Sequence, residues 1–262
     1  MISFNNNLFS TKKEIEIPSE CEIVFVSDLF VEDYIGGAEH ATMHLLYARF
    51  VTKALYDMKF VPFKEPFTNL YHQGTITKDG SKMSKSKDNT VSPDEFIEEY
   101  GADTFRCYLM FMGPFDEGGD WNDKGIKGID RFLKKVWKII NLPNAEQDDA
   151  NIVQLMNKTI KIVSSNLGKM IFNTSISRLM EFVNHLSKYD RISLSVKENL
   201  TLLLSPLAPH LSEEMWEILG HKKSVFDNSW PDYDSSNIES NNVTIIIQIN
   251  GKLRANFEIE KD

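Results

Sequence analysis

Between residues 125 and 219 apolar side chains recur every three or four positions in five successive stretches, at about 125–141, 149–168, 175–189, 194–204 and 210–219. A chain patterned this way hides its apolar stripes by packing helix against helix, so this half is predicted to be an α-helical bundle. Upstream the period changes. Glu22–Val26 and Tyr34-Ile35 read as strands, Gly36-Gly37 as a turn, Ala38–Met58 as a helix and Phe67–Gln73 as another strand. That order, strand to glycine turn to helix to strand, is what a parallel sheet with crossover helices requires. Ser92-Pro93-Asp94-Glu95 carries a capping-box Ser, Pro at the first helical position and Glu at the third, and predicts a helix start. Gly101 should end that helix in the left-handed conformation and Asp103 should cap the next, with Gly113-Pro114 and Gly118-Gly119 as breaks. Near the C-terminus, Val243–Ile259 holds two β-rich runs around Asn250-Gly251, a strong two-residue hairpin signal.

Length and composition exclude several classes. At 262 residues the chain has room for about two domains. With 26% charged and 11% aromatic residues it is too apolar to be wholly disordered. No apolar run approaches the roughly 18 residues needed to cross a bilayer, and the Asn5-Asn6-Asn7 start is no secretory leader; residues 1–20 read as loosely ordered. Cys21 and Cys107 form no CxxC pair, so a reducing cytoplasm and no structural metal are expected. The formal net charge of −9 argues against indiscriminate nucleic-acid binding but not against a local basic face.

The sharpest motif is Lys82-Met83-Ser84-Lys85-Ser86-Lys87, preceded by Gly80 and followed by Asn89-Thr90. Three lysines at near-alternate spacing, with small hydroxyl residues between them, present ammonium groups and hydrogen-bond donors to a polyphosphate. A solvated basic surface loop is the plainer reading. Here the sequence resembles the KMSKS loop of class I aminoacyl-tRNA synthetases. Tyr34-Ile35-Gly36-Gly37-Ala38-Glu39-His40-Ala41 and His44-Leu45-Leu46-Tyr47-Ala48-Arg49-Phe50 are similar to the leucyl-tRNA synthetase family in particular. So are Pro66–Gly74, Tyr100-Gly101-Ala102-Asp103-Thr104, Arg131-Phe132-Leu133, Phe172-Asn173-Thr174, Ser205–His210 and Gln248–Lys252, in order and spacing.

The resemblance implies an α/β partial nucleotide-binding (Rossmann-like) fold followed by an α-helical bundle and a short β-hairpin. It divides the chain into an unmatched leader (1–27), the second half of the class I catalytic fold with its KMSKS loop (28–120), a helical anticodon-binding domain (121–236) and a shortened C-terminal α/β piece (237–262). Lys82, Ser84 and Lys85 would be catalytic, with Lys85 steadying the ATP phosphates as adenylate forms; Met83 and Ser86 complete the phosphate loop. Gly36 and Gly37 would admit adenosine to the backbone and Glu39 would accept ribose hydroxyls, the alternative for Glu39 being a solvated first-turn carboxylate. His40 and His44, four residues apart, would line the amino-acid pocket; core or surface histidines and a metal pair lacking a third ligand are the other readings. Tyr71–Gly74 lie at a strand end where ligands of α/β sheets collect.

Lys124, Lys127, Arg131, Lys134, Lys135 and Lys138 outnumber Asp123 and Asp130 on one predicted helix. An ordinary solvated face is one reading; the resemblance favours phosphate contacts with tRNA through Lys127, Arg131 and Lys134. Trp121, Trp137 and Trp216 read as core. Two departures stand out: Asp88 where the family carries Gly, and no His-x-Gly-His turn or editing domain. The expected role is therefore that of a leucine–tRNA ligase subunit or fragment, inactive alone, with ATP (accompanied by Mg2+), leucine and tRNA(Leu) as substrates. It would need a polypeptide supplying the first half of the catalytic domain, bind no metal through protein ligands and contact no membrane. The alternative is a catalytically dead remnant that binds only tRNA or a partner.

Overall fold

The computed structural model describes residues 31–238 continuously and, beyond them, strand backbone at 2–3, 14–15, 242–249 and 252–260. The predicted strand at Glu22–Val26 and the Asn250-Gly251 turn lie outside the described residues. The chain forms two compact units, 1–71 and 72–262.

In the first unit β1 (Ile2–Ser3) pairs antiparallel with β2 (Glu14–Ile15). A second sheet joins β3 (Val31–Gly36) to β4 (Phe67–His72), with α1 (His44–Asp57) between them in sequence. Thr68 Oγ1 donates to the Glu32 carbonyl (2.8 Å) and Asn69 Nδ2 to Asp33 Oδ1 (2.9 Å), contacts that step forward together along both strands, as parallel neighbours do. The helix expected from Ala38 begins later. Gly37 has no side chain with which to cap it, so the first amides close short bonds, His40 N to Gly37 O and Met43 N to His40 O (both 3.1 Å). Residues Ala38–Thr42 are therefore a 3₁₀ turn, and Met43 (φ −121°, ψ −108°) resets the chain before α1.

The second unit opens with β5 (Thr75–Lys78) and β6 (Ser81–Lys82), followed by α2 (Pro93–Tyr100), α3 (Ala102–Phe111) and β7 (Gly118–Trp121). The strand order is β6-β5-β7, with β5 antiparallel to β6 and parallel to β7. Gly118-Gly119, expected as a break, instead begins a strand. The reason is backbone proximity: a Cβ on Gly74 would lie 1.9 Å from the Gly118 nitrogen, so only glycine lets these segments meet. Ser92 caps α2 as predicted, its Oγ accepting from Asp94 N (3.4 Å). Gly101 has the expected positive φ (85°) but an extended ψ (156°), because the same residue also opens α3. Asp103 does not cap α3; its carboxylate is used elsewhere.

The bundle follows the predicted periodicity closely: α4 (Ile126–Ile140), α5 (Ala150–Leu167), α6 (Phe172–Leu186), α7 (Leu194–Leu204) and α8 (Pro209–Ile218). Ile126, Ile129, Phe132, Leu133, Val136, Ile139 and Ile140 form one buried stripe of α4, and they meet Ile176, Leu179, Phe182 and Val183 of α6 in a single core with Cys107 and Tyr108 of α3. Asp149 and Ser193 cap α5 and α7. Buried Lys197 donates to the Leu142 carbonyl and to Asn144 Oδ1, tying α7 to the chain after α4; burial pushes its pKa down. β8 (Asn242–Ile249) and β9 (Lys252–Glu260) pair antiparallel with Ile249 opposite Lys252 and a register shift after Ile247. No helix among the described residues is long and apolar enough to cross a membrane.

The N-terminus of α8 has no cap of its own, since Ala208 precedes it. Asp103 supplies one from α3: Oδ2 accepts from Leu211 N (2.6 Å) and Oδ1 from His210 Nδ1 (2.8 Å). Asp103→Ala removes a cap and strands the Leu211 amide, so urea unfolding should show a loss of roughly 2 kcal/mol. A loss below about 0.5 kcal/mol would show that α8 needs no such cap.

Candidate functional site

Lys82–Lys87 forms a closed, self-bonded loop. Asn89 holds it at the neck: its Oδ1 accepts from Ser84 N (2.8 Å) and its Nδ2 donates to the Lys82 carbonyl (3.3 Å). Ser84 Oγ accepts from Ser86 N (3.3 Å) and lies 2.7 Å from Ser86 Oγ, capping a short 3₁₀ turn at Lys85–Lys87. Asp88 closes that turn in the left-handed region (φ 53°, ψ 29°), a conformation Asp tolerates better than most residues. Lys82, Lys85 and Lys87 are exposed and make no ion pair among the described residues, and Met83 packs against the core. Their ammonium groups are therefore free to meet an anion.

The loop's stem was missed in sequence. Lys78–Lys82, just before the lysine motif, is a hairpin, β5 to β6, turning through Asp79 (φ 53°) and Gly80 (φ 70°). The Asp-Gly pair was the available signal, since both central positions of such a turn need positive φ. Asn89 was noted only as a flanking residue; its neck role depends on a reach that spacing does not reveal.

A second cluster lies in the first unit. Gly36 and Gly37 are buried, and the ring of Tyr34 stands where a Gly36 side chain would go, 2.8 Å from the Cβ position. Around Tyr34 gather His44 (5.6 Å, stacked), His40 (6.3 Å, edge-on) and Phe67 (4.7 Å). His40 sits in the 3₁₀ turn and His44 in α1, so they do not share one regular helix face, yet their rings still lie 6.4 Å apart. His44 Nδ1 is 3.1 Å from the Tyr34 hydroxyl, whereas His40 Nδ1 is buried without a partner among the described residues. Glu39 is exposed. Among the described residues no group of three or more His, Cys, Asp or Glu side chains could hold a metal ion.

On α4, Lys127, Arg131, Lys134 and Lys138 form one exposed row. Lys134 pairs with Asp130 (2.8 Å), Lys135 donates to Asn184 Oδ1 (2.8 Å), and Lys127 and Arg131 make no ion pair among the described residues. Trp121 and Trp216 are buried as expected, but Trp137 is 37% exposed, because its place on α4 borders the basic row instead of the core stripe.

Residues 42–120 match the family of class I tRNA synthetases (I, L, M and V), and residues 149–262 match the anticodon-binding domain of tRNA ligases. The chain is 47% identical over 256 residues to a leucine–tRNA ligase of Thermotoga maritima, covering 88% of this chain and 31% of that protein. It is 43% identical over 274 residues to the Clostridium perfringens leucine–tRNA ligase, covering 97% and 34%. Among solved structures it is similar to Agrobacterium radiobacter K84 agnB2 LeuRS in a ternary complex with tRNA and LeuAMS, with a TM-score of 0.72, 33% identity, and coverage of 87% of this chain and 33% of that one. The chain thus spans about a third of the length of the curated relatives it matches.

Replacing Asn89 with Ala removes both neck bonds. Tryptic cleavage after Lys85 and Lys87 should then quicken by about tenfold, the equivalent of one to two net hydrogen bonds, with the bundle's melting temperature unmoved. Cleavage at the native rate would show that the turn at Lys85–Lys87 holds itself.

Proposed function

Because the chain belongs to the leucyl-tRNA synthetase family, of which it corresponds to a C-terminal part, we propose that it contributes ATP-phosphate binding and tRNA binding to leucyl-tRNA aminoacylation. The observation that carries this reading is the self-bonded loop bearing three exposed lysines with no ion pair among the described residues, inside the segment matching the class I synthetase family. In adenylate formation a leucine carboxylate oxygen attacks the α-phosphorus of ATP, the bond to the β-phosphate oxygen breaks, and pyrophosphate leaves. Negative charge grows on the departing phosphates, and the Lys85 and Lys82 ammonium groups stabilise it without forming a covalent bond. Ser84 and Ser86 add hydroxyl donors, and Met83 anchors the loop. Mg2+ enters with ATP; a loop this rich in ammonium groups suits the phosphates and not the cation. Gly36, Gly37 and Glu39 would receive the adenosine, and the Tyr34 cluster with His40 and His44 the amino acid. The orphan His40 Nδ1 supports that placement, since a buried polar atom needs a partner that a ligand supplies.

Residues 28–120 are read as the second half of a Rossmann-like catalytic fold, 121–236 as the anticodon-binding domain and 237–262 as the start of a terminal α/β piece, in a cytoplasmic enzyme. A polypeptide carrying the first half would complete the catalytic fold. Supporting this, α1 exposes Leu46, Tyr47, Phe50 and Val51, an apolar stripe with Phe50 71% exposed and Met43 exposed just before it, while burying only Leu45 and Thr52. A pure binding module is the second reading, supported by the exposed row of Lys127, Arg131 and Lys134 on α4.

Two outcomes separate the readings. In a complex reconstituted with a first-half fragment, Lys85→Ala should cut leucine-dependent pyrophosphate exchange by roughly 100-fold or more while leaving tRNA affinity unchanged; no exchange in the unmodified complex would leave only the binding module. Neutralising Lys127, Arg131 and Lys134 together should weaken tRNA binding and flatten its salt dependence by about two to three phosphate contacts. Unchanged affinity would remove α4 from the tRNA interface.

A further inference from the structure

We infer that Asp120, outside the lysine-rich signature, is a positioning residue that fixes where Lys82 and the loop behind it leave the sheet. This rests on the reading that the loop meets ATP phosphates. Lys82, Thr77 and Asp120 stand in one row across the sheet, Lys82 opposite Thr77 on the antiparallel side and Thr77 opposite Asp120 on the parallel side. A single carboxylate oxygen binds both the residue opposite the lysine and the turn that leads to it: Asp120 Oδ1 accepts from Thr77 Oγ1 (2.6 Å) and from the Gly80 amide (2.9 Å). One contact grips the middle strand and the other the turn.

The clasp matters because β6 is only two residues long, with Thr77↔Lys82 and Lys78↔Ser81 as its only register pairs. So short a strand does not hold its own register, and a slip of one residue would turn Lys82 to the opposite face. Asn89 secures the far side of the loop, so Asp120 and Asn89 grip it from opposite ends. The two bonds to Asp120, that from Thr77 first, hold its carboxyl below the ordinary Asp range. A depressed carboxylate keeps its contacts above its unfolded value and loses them only as pH falls through the lowered one, so the clasp stays closed throughout neutral and mildly acidic conditions.

The test uses the full chain with Asp120→Ala and Asp120→Asn, read by amide hydrogen exchange and by titration with inorganic tripolyphosphate, with Lys85→Ala as the control. Asp120→Ala should speed exchange across residues 81–89 by about tenfold and weaken tripolyphosphate binding by a similar factor, with exchange in 126–218 unchanged. Asp120→Asn, which keeps an acceptor oxygen, should recover most of both. Native exchange in 81–89 for Asp120→Ala would overturn the inference, as would faster exchange with native tripolyphosphate affinity. Should the unmodified chain bind tripolyphosphate no better than Lys85→Ala, the phosphate reading of the loop fails, and exchange alone still decides whether Asp120 holds the hairpin.

Discussion

The contact on which the second unit depends is the grip of α3 on the turn that begins α8. Asp103, Arg106 and Cys107 lie three and four residues apart on one face of α3. They meet backbone groups at both ends of the turn: Asp103 takes the Leu211 amide, Arg106 Nη2 donates to the Pro206 carbonyl (3.3 Å) and Cys107 Sγ to that of Leu207 (3.5 Å). Ser205–His210 is therefore gripped through its backbone, at the Pro206 and Leu207 carbonyls, and through the imidazole of His210 on Asp103 Oδ1. This joins the segment matching class I synthetases to the one matching anticodon-binding domains. Burial pushes the Cys107 thiol up to about 12, so this sulfur is a packing group and a weak donor, never a nucleophile at neutral pH.

A second set of contacts carries that rigidity towards the lysine loop. Trp121, next to Asp120, packs among Phe96 of α2 (4.8 Å) and Phe105 and Tyr108 of α3 (5.8 and 5.1 Å). Its Nε1 donates to Asp123 (2.6 Å), and the Tyr108 hydroxyl donates to the Asn122 carbonyl (2.7 Å). β7 is thus fixed by aromatic burial at one residue and grips the hairpin at the one before. Edge-on aromatic pairs are each worth about 0.5–1.5 kcal/mol beyond area burial, enough in sum to make β7 the stationary strand and β6 the dependent one.

How much of this was legible follows from the range of each signal. The five bundle helices were readable because their apolar stripes repeat locally and tertiary packing agrees with them. Ser92 was readable because a cap is a contact within three residues. Asp103 carries the same local capping signal, yet its carboxylate serves Leu211, more than a hundred residues away, and no local rule distinguishes the two uses. Trp137 looked like core because large aromatics are mostly buried; only the exact rotation of α4 places it beside the basic row. The loop lysines could be named from sequence, whereas the stem that aims them rests on Asp120 holding Thr77 and Gly80, 43 and 40 residues away.

The charge distribution carries the last step. A net charge of −9 would repel phosphates if the molecule acted as a point. At physiological ionic strength, however, fields decay over about 8 Å, so a phosphate arriving at the loop meets the local lysines and not the whole chain. What counts is which local cations are already neutralised. Lys134 and Arg49 have carboxylate partners in Asp130 and Glu65, and the pairing with Arg49 draws Glu65 down to about 2. Lys82, Lys85 and Lys87, by contrast, sit on a loop closed by neutral amide and hydroxyl contacts. Ordering the loop through Asn89 and the serines instead of through salt bridges fixes its shape and leaves its positive charge unspent. Asp120 extends the same division: its carboxylate bonds a hydroxyl and a backbone amide in the stem, so the anion that positions the loop neutralises none of the lysines the loop presents.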